Sequence, residues 1–328
     1  MKLRGEELTN VVANFDEDFW NDAACCETEY FENVLFCIKS ALQSAFGDYI
    51  FVLYADSRIV ENSMYDFIAD NSKIKKVVVL YFSDEKSTIP HSLMQTGVYA
   101  VFKNYMPTEL LYGNLFHLPL GYLKTTKHFP VVDINKRKIN VFFSGALHGT
   151  RLKFFKNFTV IRFLPMRYWL SVFHYFKKLV SHTYDSFYPS SYIRFNKHGF
   201  RSGMSPQLYS EMLYDSKIAL CPKGILSAET FRHFEAMRAG CVIISEQLPQ
   251  TFFYQGSPML SIDDWSQVDS IIKDLLRSPE KLAGIHRRTL VWWEEVCSER
   301  AVAGYIVAKL RQLAATGFKP ATQENKLK

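Results

Sequence analysis

Residues 216–245 read SKIALCPKGILSAETFRHFEAMRAGCVIIS. The order is a buried strand, a loop opened by Pro222-Lys223-Gly224, a helix expected over 228–239, and a second buried strand at 241–245. A continuous apolar run before and after a helix is the pattern of parallel strands covered on both faces. Gly224 permits close backbone approach to a ligand. Ser227 is expected as the N-cap and, with Thr230, lies near the positive end of the helix dipole. A helix N-terminus at the carboxyl edge of a parallel sheet is a ready anion site. Arg232 and Glu235 stand three residues apart and share one helix face. Spacing alone leaves them either a surface ion pair or a ligand pair, the guanidinium forking onto a diphosphate and the carboxylate accepting ribose hydroxyls. Gly240 fits a C′ glycine.

Upstream the same alternation recurs. An amphipathic helix is expected over 28–46, with apolar residues Tyr30, Phe31, Val34, Leu35, Ile38, Ala41 and Leu42 at helical spacing. Runs 49–55 (YIFVLYA) and 76–82 (KVVVLYF) read as buried strands, with shorter ones at 98–102 and 115–118. Residues 123–138 are polar, basic and aperiodic, and read as a linker. Beyond it come strands at 139–144, 159–164, 191–196 and 217–221, helices at 149–157 and 206–215, and terminal helices at 265–277, 280–296 and 299–314. The fold class is therefore α/β, with an N-terminal Rossmann-like domain at 1–135, a second at 136–316, and a disordered tail at 317–328.

The 328 residues, 48% apolar and 22% charged, suffice for two cores. Residues 1–70 carry a net charge of −10 and the remainder +16, which suits a phosphate-bearing ligand, an anionic membrane surface or nucleic acid. No recognisable nucleic-acid reader module accompanies that charge. No signal-peptide stretch and no run of 18 apolar residues is present, so a cytoplasmic protein is expected. The six cysteines show no CxxC spacing and read as reduced thiols. Asp16-Glu17-Asp18 has the DxD form of metal-dependent transferases, but in an acidic segment it reads as a solvated cluster; Asp263-Asp264 reads as a helix N-cap. No His/Cys cluster has metal spacing, and no metal or cofactor is expected. Residues 166–180 (MRYWLSVFHYFKKLV) read as a core helix or as an interfacial helix at a membrane surface.

The 216–245 segment resembles the C-terminal signature of exostosin-like glycosyltransferases in Ser216, Leu220, Cys221, Pro222, Gly224, Thr230, Arg232, Glu235, Ala236, Ala239, Gly240 and Cys241. Leu248-Pro249 with Phe252 or Phe253 is similar to the close of that motif. A second match, NVFFSGALHGTR at 140–151, resembles the segment that opens the family's second domain. Ile243 departs from the proline common in the family. The likeness covers about 140–255 well and 1–135 poorly. It implies a GT-B fold, two Rossmann-like domains facing a central cleft. It also implies an inverting, metal-independent transferase that moves sugar from a nucleotide-diphosphate sugar, UDP favoured, to a polysaccharide or glycolipid, with a peripheral position at an inner membrane. Gly145, His148, Arg151, Lys223, Gly224, Ser227, Thr230, Arg232 and Glu235 are then the donor-binding residues, Arg151 neutralising the leaving diphosphate. Inverting transfer needs a base, and Asp84, Glu85 and His117 stand at strand ends of the first domain. A catalytically inactive sugar-nucleotide-binding relative and a basic nucleic-acid-binding protein are the competing readings.

Overall fold

The computed structural model describes residues 2–3, 6–15, 27–55, 61–106, 112–159, 161–177, 183–185, 190–196 and 203–320. Contacts divide the chain into two units: the first is Met1–Lys124, Thr251–Phe253 and Val296–Lys328, the second Thr125–Gln250 and Tyr254–Glu295.

The first unit carries a five-stranded sheet, β1 (Val11–Ala13), β2 (Tyr49–Ala55), β3 (Lys76–Phe82), β4 (Ala100–Lys103) and β5 (Leu115–His117), in that spatial order and parallel throughout. Strands β2 and β3 match the apolar runs residue for residue, and 51–55 and 77–82 are buried. Helix α1 (Thr28–Leu42) follows β1 and α2 (Glu61–Ser72) follows β2. Helix α1 ends short of the expected 46, and a 3-10 stretch, Gln43–Asp48, leads into β2. A short antiparallel ladder, Lys2–Leu3 with Glu6–Glu7, stands apart from the sheet.

The second unit carries a six-stranded sheet. Its strands are β6 (Ile139–Ala146), β7 (Thr183–Asp185), β8 (Tyr192–Asn196), β9 (Ser216–Cys221), β10 (Val242–Glu246) and β11 (Leu260–Ile262), arranged β11-β10-β9-β6-β8-β7. Only the β7–β8 pairing is antiparallel. Helices α3 (Leu152–Asn157), α4 (Met166–Lys177), α5 (Pro206–Tyr214), α6 (Phe231–Arg238), α7 (Val268–Arg277) and α8 (Pro279–Trp292) complete it. One face of the sheet is sealed by an aromatic cluster, Phe143, Phe154, Phe155, Phe195, Trp169 and Trp265. Trp169 and Phe173 stack within that cluster at 4.9 Å, so this part of 166–180 is core rather than interfacial; 178–180 lie outside the described residues.

Four expectations change. Of the strand expected over 159–164, the described residues close turns, with Arg162 N donating to Thr159 O and Leu164 N to Ile161 O, and none of them is in a strand. The domain boundary falls at Lys124/Thr125, because the expected linker packs on the second unit: Arg137, 2% exposed, donates to the carbonyls of Ser216, Ala239 and Val132. The terminal helix α9 (Glu299–Ala315) belongs to the first unit, where it lies along α1 with Val302, Ile306, Leu310 and Leu313 buried. The start of the expected tail is a helix cap: Gly317 has φ +63°, Phe318 N donates to Leu313 O, and the Phe318 ring meets Tyr99 edge-on at 6.3 Å. Residues 321–328, Asp16-Glu17-Asp18, Cys25 and Cys26 lie outside the described residues. No described helix is long and apolar enough to cross a membrane.

Candidate functional site

The second unit's site is built at the carboxyl end of β6, next to β9. Two arginines from different segments converge there on one glycine. A Cβ on Gly145 would lie 2.9 Å from the Arg232 guanidinium, 3.0 Å from the Phe143 ring and 3.3 Å from the Arg151 guanidinium. Both cations stand over Phe143, Arg232 at 4.9 Å and Arg151 at 5.8 Å from the ring centroid, a cation–π arrangement that fixes their planes. Backbone carbonyls aim the heads: Arg232 donates to Ser144 O (2.7 Å), Arg151 to Lys223 O (2.8 Å) and Ala146 O (3.1 Å). The Arg232 Nε is buried and has no hydrogen-bond partner. A buried donor left open costs about 1–3 kcal/mol unless a ligand meets it.

The surrounding loops are tied to each other. Thr150 Oγ donates to Gly224 O (3.0 Å), and its hydroxyl lies 2.7 Å from His148 Nδ1. Gly224 N donates to Ser227 O (2.8 Å), closing a turn, and Lys223 N donates to Glu246 Oε2 (2.7 Å). Burial, with Arg151 and Arg232 adding repulsion, pushes the His148 pKa down to about 4, so its ring is neutral near pH 7. A neutral imidazole beside two guanidiniums leaves the positive charge to the arginines.

The helix that follows starts later than expected. Helix α6 begins at Phe231 with Thr230 as its N-cap; Ser227 instead accepts from Glu229 N (3.1 Å) within the loop. The cap is closed by His233, whose Nδ1 accepts from Thr230 N (3.2 Å) while Nε2 lies 2.7 Å from Ser245 Oγ. His233 is fully buried, which depresses its pKa to about 4 and keeps the ring neutral and accepting. The sequence reading missed His233, although its place three residues after a threonine is the signal of a reciprocal cap.

Glu235 is committed differently from either sequence alternative. Buried at 4% exposure, it accepts from Thr126 Oγ1 (2.7 Å) and Tyr209 Oη (2.8 Å), tying the 125–138 segment and α5 to α6. A ligand hydroxyl at this carboxylate must share its oxygens with those two donors.

In the first unit the residues considered as bases separate. Asp84 is 2% exposed and forms an ion pair with Lys103 (3.0 Å), itself wholly buried. It also accepts from Thr88 N, Thr88 Oγ1 and Lys86 N. Burial opposes its ionisation, but the Thr88 hydrogen bonds and the Lys103 ammonium win and hold the carboxyl below its ordinary range. A carboxylate so stabilised and enclosed has the surroundings of a structural clamp. Glu85 is exposed; His117, 5% exposed, lies edge-on to Phe253 at 5.1 Å. Sequence reasoning passed over Glu27, one residue before α1, because it sits in an acidic stretch that reads as solvated; it is 1% exposed. Among the described residues no group of three His, Cys, Asp or Glu is placed to hold a metal ion.

No family model matches the chain, and no curated protein matches it by sequence. Solved structures do resemble it. Anabaena Alr3699/HepE in complex with UDP and glucose aligns with a TM-score of 0.45 at 13% identity, over 85% of this chain and 81% of that one. AviGT4, a glycosyltransferase involved in avilamycin A biosynthesis, gives 0.44 at 11% identity over 93% and 97%. An α1,3-fucosyltransferase gives 0.45 at 12% over 92% and 89%.

Proposed function

We propose that the chain is a glycosyltransferase that takes its sugar from a nucleotide-diphosphate sugar, with the second unit as the donor-binding half. One observation carries this reading: Arg151 and Arg232 converge on Gly145 at the carboxyl edge of a parallel sheet, beside the N-terminus of α6, and Arg232 keeps an open buried donor. Two guanidiniums and a helix N-terminus can neutralise the charge that develops on a departing diphosphate, the task that a divalent ion performs in other transferases. The exostosin-like pattern of 140–151 and 216–245 supports an inverting, metal-independent reaction with a UDP-sugar donor and a glycan or glycolipid acceptor, in a cytoplasmic protein at the inner face of a membrane.

A thermal-shift panel of UDP, GDP and ADP in EDTA tests the reading. At 100 times its dissociation constant the preferred nucleotide stabilises the protein by about 2.7 kcal/mol, a rise of several degrees. No shift with any nucleoside diphosphate would overturn the assignment. A nucleic-acid binder would respond instead to oligonucleotides with steep salt dependence.

A further inference from the structure

The topology of the second unit places one more polar side chain beside the arginine site. After β6 the chain runs to β7 and β8 on one flank and then crosses to β9, β10 and β11 on the other, so the strand order reverses at β6. In an open α/β sheet a ligand lies outside the carboxyl ends of the strands at such a reversal. The loop after the first strand takes the phosphates, and the end of the strand beside it meets a ribose hydroxyl. Here the first strand is β6, whose end carries Gly145 and the two guanidiniums. The strand beside it is β8, and its last residue is Asn196.

The ladder itself fixes Asn196 close to that site. It pairs in register with Ala146, as Phe195 does with Gly145, and its carbonyl accepts from Leu147 N at 2.9 Å. Paired strands lie about 4.8 Å apart, so one strand spacing separates the Asn196 backbone from the neighbour of Gly145. Phe195 points into the aromatic core, and alternation turns Asn196 to the opposite face, that of Phe142 and Tyr209. Asn196 is buried, and its Oδ1 has no hydrogen-bond partner. The edge beside it is open: residues 145–148 are half-buried and 149–150 exposed.

An unmet amide oxygen selects its occupant. A diphosphate at neutral pH offers only acceptors and cannot satisfy it; an uncharged donor can. A ribose hydroxyl both donates and accepts, so it fits the carboxamide whichever end meets it. Glu235, the acceptor that helix spacing offered for that hydroxyl, already holds two donors, Thr126 Oγ1 and Tyr209 Oη, whereas Asn196 Oδ1 holds none. We propose that Asn196 is a specificity-determining residue of the donor site, accepting a hydrogen bond from a ribose hydroxyl of the nucleotide. The proposal rests on the donor reading above and names the part of the donor that β8 reads. The arginines at the end of β6 grip the charge, and β8 checks the sugar of the nucleoside.

The test is calorimetric titration, in EDTA, of UDP, GDP and ADP beside their 2′,3′-dideoxy counterparts into the wild type and Asn196→Ala. The wild type should bind its preferred nucleotide at least about tenfold more tightly than the dideoxy form, which leaves the amide oxygen unmet. In Asn196→Ala the ribonucleotide should weaken to the level of the dideoxy form, whose own affinity stays within about twofold. The melting temperature of the free variant should hold, since the lost oxygen had no partner to give up. A purely structural role would instead lower the melting temperature and weaken both ligands equally. Either that result or a wild type indifferent to the ribose hydroxyls overturns the proposal and leaves the donor reading in place. A wild type that binds none of these nucleotides removes the donor reading itself.

Discussion

Lys103→Met is expected to destabilise the first unit by about 3–5 kcal/mol, because it strands the buried Asp84 carboxylate without its cation. Lys103 is wholly enclosed, and its ammonium also donates to the carbonyls of Asn104 (3.0 Å) and Tyr105 (3.2 Å). One side chain therefore joins the ends of β3 and β4 and holds the loop in which Tyr105 adopts φ +51°, a backbone state that costs a non-glycine residue about 1–3 kcal/mol. Chemical denaturation should show an early transition in the variant. Adding Asp84→Asn should restore part of the loss, since a neutral amide needs no counter-charge. A loss under about 1 kcal/mol would mean that the pair is not a structural clamp, and Asp84 would return as a candidate base.

Gly145→Ala should separate binding from folding in the other unit. The new Cβ falls 2.9 Å from the end of Arg232, a flexible side chain that can swing away, and 3.0 Å from the buried Phe143 ring, which must shift by a few tenths of an ångström. Stability should fall by about 1–3 kcal/mol, leaving the protein folded. Nucleotide affinity should fall at least tenfold, about 1.4 kcal/mol, because the displaced cation loses both its Ser144 anchor and its place over Phe143. Calorimetric titration beside a melting curve reads both quantities. Unchanged affinity with the fold intact would show that the arginine pair around Gly145 does not hold the ligand.

The strands were legible wherever apolar residues ran unbroken, as in 49–55 and 76–82, since burial on both faces leaves no other pattern available. The run 159–164 is interrupted by Arg162, and its described residues close into turns before Pro165. The cap of α6 was ambiguous because Ser-Ala-Glu-Thr offers two hydroxyls; His233 reaching back to Thr230 decides it. The placement of α9 on α1 depends on side chains more than 250 residues apart, such as Tyr30 meeting Cys297. No local signal encodes that contact. The residues expected to hold the donor cluster in two short segments, whereas the ion pair of Asp84 joins it to a residue of the neighbouring strand, which no local pattern announces. Glu27 escaped notice for a related reason: net charge describes a segment, and burial describes one side chain.

Titration of UDP into the wild type and into Arg232→Ala, in EDTA, tests the donor-site account most directly. The wild type should bind, and the variant should bind at least 100-fold more weakly, about 2.8 kcal/mol, with its melting temperature held. Equal affinity in the two proteins would contradict the claim that these guanidiniums hold a diphosphate.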